Sequence, residues 1–140
     1  MSSSLIITLS AQIFCQLLKV ILYSIKYKEL QLVRFISAGG MPSSHCAFVT
    51  ALILSVGLIE GWDSDIFTVC IVLATIVVFD TIRLRRTVDM HSAILAKLNN
   101  TLKNKYQFSF PVVGHTNLEV ISGILIGASL SCGSYYLFIY

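Results

Sequence analysis

Gly39-Gly40-Met41-Pro42-Ser43-Ser44-His45-Cys46-Ala47-Phe48-Val49-Thr50-Ala51-Leu52-Ile53-Leu54-Ser55-Val56-Gly57-Leu58-Ile59 is the stretch on which the architecture turns. Two glycines and a proline in its first four residues exclude an uninterrupted helix there. The apolar run that follows, Ala47 to Ile59, holds about 13 residues, where a free-standing membrane crossing needs about 20. The next run, Ile66 to Phe79, is similarly short. The two still cross as a hairpin if each helix extends into its polar flanks and those flanks line a wet protein cavity instead of lipid.

The rest of the chain fits a membrane setting. Of 140 residues, 56% are hydrophobic and 12% charged, about half the charge of a soluble domain, and the mean hydropathy is +0.82. A soluble globule, a disordered tail and a multidomain enzyme are excluded, and one domain over 1–140 is expected. A net charge of +3 does not point to nucleic acid. Leu5 to Ile25 is one long apolar run carrying a single charge, Lys19, and Leu118 to Tyr140 is another, carrying Glu119. Gly123 and Gly127 form a small-x-x-x-small pair suited to packing on a neighbouring transmembrane helix or to forming a homo-oligomer. Between Thr87 and Lys105, Val88, Leu95, Leu98 and Leu102 recur at helical spacing, as in an amphipathic helix at the membrane surface. The expected fold is therefore an all-α polytopic membrane bundle of about four transmembrane helices and one amphipathic surface helix.

Four crossings have a consequence for the polar residues. The segment after run one, Met41 to His45, Arg83 to Arg86, and Gly114 to Glu119 all fall on the same membrane face. That face collects the basic residues: Lys26, Lys28 and Arg34 on one segment, six basic residues between Asp80 and Thr116, against three acids in the opposite turn from Glu60 to Asp65. The positive-inside rule makes it cytoplasmic and puts both termini outside. Trp62, Tyr135, Tyr136 and Tyr140 read as interfacial belt residues.

Histidines, arginines and a lysine beside Gly- and Ser-rich helix starts are suited to phosphate. Helix N-termini present unpaired N–H groups and partial positive charge. Arginine matches phosphate oxygens with a permanently charged fork, and histidine moves protons near neutral pH or attacks as a nucleophile. The four cysteines lack C-x-x-C spacing and read as buried thiols. A metal site from His45, His91 and His115 lacks local ligand spacing, so no metal or cofactor is expected.

Gly39-Gly40-Met41-Pro42-Ser43-Ser44-His45, then Asp80 with Arg85-Arg86, then Gly114-His115-Thr116-x-x-Glu119-Val120-x-x-Gly123 together resemble the divergent branch of the type 2 phosphatidic acid phosphatase superfamily. That branch is related to acid phosphatases and vanadium-dependent haloperoxidases, and the resemblance covers about Ser10 to Leu130. It implies a metal-independent phosphatase acting on a lipid or isoprenoid phosphate. His115 would attack phosphorus and form a phosphohistidine, Glu119 would orient its ring, and His45 would protonate the leaving alkoxide. Arg34, Arg86, Arg85 and Lys28 would hold the phosphate, with Ser43, Ser44 and Gly40 stabilising its oxygens. Glu119 stands where the wider superfamily usually has aspartate, and the spacing from Lys28 to Arg34 is one residue short of the usual pattern.

Other readings stay open on the residues alone. Thr116-x-x-Glu119 is also a capping box that starts run four. The arginines at 83, 85 and 86 also serve as interfacial anchors, and Asp80 either pairs with Arg83 or orients an arginine. The same basic face would suit a non-enzymatic membrane protein that binds anionic lipid headgroups or a partner subunit.

Overall fold

The computed structural model describes residues 2–36, 39–101 and 116–138, apart from the side chains at 84–86, 100, 101 and 138. Over these residues the chain is an all-α membrane helix bundle, with no strand among them. Five α-helices follow in order: α1 Ser3–Tyr27, α2 Ser44–Glu60, α3 Asp65–Ile82, α4 Leu84–Thr101 and α5 Asn117–Phe138, with a 3-10 turn over Leu32–Phe35 between α1 and α2. The apolar helices α1, α3 and α5 are long enough to cross a membrane. With 17 residues, α2 is shorter, about 25 Å against a hydrocarbon core of about 30 Å.

Local chemistry sets the helix ends. Tyr27 closes α1 because Lys28 turns left-handed, at φ 56. Ser43 starts α2 by accepting the Cys46 N–H on its hydroxyl (3.4 Å), and Ser64 starts α3 by accepting that of Phe67 (3.2 Å). The start of α5 is the reciprocal capping box: Thr116 N–H donates to Glu119 Oε2 (3.1 Å) and Glu119 N–H donates to Thr116 Oγ1 (3.4 Å). Only Arg83 separates α3 from α4, and hydrogen bonds run through it from Arg83 N to Phe79 O and from Thr87 N to Arg83 O. The amphipathic segment thus begins at Leu84, three residues before the expected Thr87, as a near-continuation of α3. Its Val88, Leu95 and Leu98 are exposed. Leu102, Lys103 and Lys105 lie outside the described residues.

Helix α2 is the hub, packed by α1, α5 and α3, while the backbones of α1 and α3 do not approach each other closely among the described residues. Small residues permit the closest seam. A side chain on Gly123 would collide with the Ser43 carbonyl, and one on Gly127 with that of Ala47; one turn further, the Ser131 hydroxyl donates to Ala51 O (3.1 Å). The matched increments, 123–127–131 against 43–47–51, make α5 and α2 parallel. The small-x-x-x-small face does meet a neighbouring helix, α2 of the same chain, so an oligomer contact on that face would have to displace α2. Buried Ser4, Thr8, Ala11, Cys15 and Lys19 form one stripe of α1, and α1 runs antiparallel to α2. The start of α2, the start of α5 and the last two turns of α1 consequently share one end of the bundle, and the start of α1 and the last turn of α5 lie toward the other.

Candidate functional site

At the shared end the backbone of α2 is fastened to α5: Ser43 N–H donates to Glu119 O (3.0 Å). Pro42, Ser43 and Ser44 are buried and His45 is half-buried. Ser44 is 0% exposed, and its Oγ has no hydrogen-bond partner among the described residues. His45 also buries its Nδ1. These side chains surround the first turn of α2, whose backbone N–H groups and dipole favour negative charge.

Lys19 is the residue that sequence reasoning missed. Read as the one charge in an apolar run, it is 0% exposed, within electrostatic range of Glu119, Arg34 and Cys15. The signal was present: an ionisable residue inside a span faces protein and marks function by default, and Lys19 ends the small-residue stripe of α1. Antiparallel packing puts it level with Ser43 and Ser44, while α1 runs eight residues further to Tyr27, about 12 Å at 1.5 Å per residue. The first turn of α2 is therefore recessed below the end of α1. The intervening chain folds back along α1 to reach it, with Gln31 N–H donating to Ser24 Oγ (3.0 Å).

That returning chain carries Arg34 and Gly40. The Arg34 guanidinium sits 4.5 Å from the centre of the Tyr23 ring, a cation–π contact that limits its freedom. Gly40 has φ +94, and a side chain there would come within 2.6 Å of the Tyr23 hydroxyl. Tyr23 thus braces the arginine and the glycine loop together against α1.

The expected site residues divide accordingly. Arg34, Gly40, Ser43, Ser44, His45 and Glu119 gather at the one end, joined by Lys19. Asp80 lies in the last turn of α3, at the same end and half-buried. Arg85 and Arg86 lie in the first turn of α4. Lys28 is exposed at the left-handed cap of α1, about 13 Å along the helix beyond Lys19, and is not gathered in. His91 is exposed on α4. His115 lies outside the described residues, which resume at Thr116.

Comparison with known proteins identifies the family. The model of the Divergent PAP2 family matches residues 1–130. An uncharacterized membrane protein of Bacillus subtilis (strain 168), YuiD, is 34% identical over 149 residues, covering 96% of this chain and 94% of its own. No solved structure matches. The capped, recessed start of α2 and the glycine seam with α5 thus belong to an integral membrane protein of the Divergent PAP2 family.

Proposed function

We propose that this protein is a metal-independent phosphatase hydrolysing a lipid or isoprenoid phosphate monoester. The observation that carries the reading is the fully buried Lys19, level with a fully buried Ser44 hydroxyl at the start of α2. A buried ammonium is costly without negative charge beside it. At this end of the bundle Lys19, Arg34, Arg85 and Arg86 outnumber Glu119 and Asp80, a positive balance that suits an anion.

In this reading Lys19, Arg34 and the first-turn N–H groups of α2 hold the phosphate oxygens, with Arg85 and Arg86 contributing from α4. His115 attacks phosphorus as the P–O bond to the leaving group breaks, and His45 gives its proton to the departing alkoxide, releasing the alcohol. Water then attacks the phosphohistidine, its proton returning to His45, and inorganic phosphate leaves with His115 restored. Glu119 orients the His115 ring while keeping its capping bond. Preorganised donors of this kind account for most of the rate in phosphoryl transfer.

The lipid substrate class is supported by helix geometry. Near this end α1 and α3 expose apolar side chains, among them Leu22, Ile25, Ile76 and Phe79, so a hydrocarbon chain in the membrane can lie beside a phosphate held at the start of α2. The basic residues orient this end toward the cytoplasm, both termini lying outside.

Purified protein should release inorganic phosphate from phosphatidic acid in detergent micelles with chelator present, and orthovanadate should inhibit that release. Turnover unaffected by His115→Ala in a folded protein would reject the assignment.

A further inference from the structure

Thr81 is 1% exposed, and its Oγ1 has no hydrogen-bond partner among the described residues; the fully buried Ser44 hydroxyl is in the same condition. The two belong to different helices at one level. Ser44 lies sixteen residues before Glu60, the end of α2, and Thr81 sixteen residues after Asp65, the start of α3. At 1.5 Å per residue each is about 24 Å from the hairpin turn that joins the two helices. The buried residues of α3 are Cys70, Ala74 and Thr81, a single stripe on the helix whose main neighbour is α2. Thr81 accordingly faces the first turn of α2 from the side opposite α1.

A threonine in an apolar helix ordinarily turns its hydroxyl onto the carbonyl four residues earlier. Thr8 does so to Ser4 O (2.7 Å) and Thr75 to Ile71 O (2.8 Å). Thr81 does not, although valine would fill the same volume without leaving a buried hydroxyl unsatisfied. Two such hydroxyls at one level, beside the N–H groups of the first turn of α2, form a set of hydrogen-bonding groups with a common missing partner.

We infer that Thr81 is a ligand of the anion, its Oγ1 donating a hydrogen bond to a phosphate oxygen from the α3 side while the Ser44 hydroxyl donates from α2. The inference rests on the phosphatase reading and adds a contact that no motif marks. It also gives the hairpin partner of α2 a part in the site.

Thr81→Val removes the hydroxyl and keeps the shape; Thr81→Ser restores a hydroxyl. The three proteins, wild type included, are compared by phosphate release from phosphatidic acid in detergent micelles, by orthovanadate inhibition and by thermal unfolding. A hydrogen bond to a charged group lost from binding gives about a tenfold rise in KM and in the vanadate concentration for half inhibition for Thr81→Val. Its kcat stays within about threefold and its Tm is equal or higher, because an unsatisfied hydroxyl has gone. Thr81→Ser recovers most of the affinity. Wild-type KM and vanadate sensitivity in Thr81→Val would overturn the inference and leave the phosphatase reading standing, as would a fall in Tm without a change in KM. A wild-type protein that releases no phosphate would overturn the phosphatase reading, and this contact with it.

Discussion

The backbone N–H of Ser43 donates to the carbonyl of Glu119 at 3.0 Å, tying the residue that caps α2 to the first turn of α5. The bond joins positions 76 residues apart in the chain, and it lies where a Gly123 side chain would strike the Ser43 carbonyl. Helix seam and candidate site are thus one construction, and a change in the seam reaches the site directly.

Gly123→Val should therefore separate α5 from α2. The added side chain meets backbone, which cannot rotate away, so a loss of about 2 kcal/mol or more in stability is expected, in the range of overpacked cores. Gly133→Ala adds a methyl group where nothing lies within 4 Å and should leave stability unchanged. Thermal unfolding of both in detergent checks the contrast, and equal effects would contradict the seam.

Gly40 and Gly61 make a second matched pair. Both have positive φ, +94 and +96, but a side chain on Gly40 meets Tyr23 whereas one on Gly61 meets nothing within 4 Å. Alanine at either position should cost about 1 kcal/mol or more in backbone strain. Only Gly40→Ala should also impair phosphate release, by displacing the Tyr23 brace from Arg34. Kinetics and Tm measured on the same preparations separate the two effects.

The two lysines give the plainest comparison. Lys19→Met should lower kcat/KM for phosphate release about 100-fold or more, the range for losing a charged contact made in a water-poor site. Lys28→Met, at the exposed end of α1, should stay within about twofold. Reversal of that order would show that the phosphate lysine lies in the returning chain and not in the span.

The convergence of distant motifs was readable from chain parity alone. Four crossings oblige His45 and Glu119 to share a face, and the short second run is explained by the recessed start of α2. The small-x-x-x-small pair and the Thr116–Glu119 capping box were likewise visible as local patterns, and each has found the kind of partner its pattern requires. Thr81 was not visible as a site residue: its importance depends on which side of α3 meets protein instead of lipid, and in a helix that is apolar all round that distinction leaves no hydrophobic periodicity to read. Lys19 was visible as a charge inside an apolar run, but what it faces depends on how α1 packs on α2. The direct continuation of α3 into α4 escaped for a related reason: three arginines at a junction look like a break, yet arginine is a good helix former.

The most direct test of the central claim is a rapid acid-free quench of the protein turning over phosphatidic acid labelled with radioactive phosphorus in the phosphate, followed by peptide mapping. The account predicts a phosphoryl group on the peptide containing His115, stable to alkali, labile to acid and absent from His115→Ala. Steady phosphate release with no covalent phosphoryl group at any turnover time, or with the label on a residue other than His115, would contradict it.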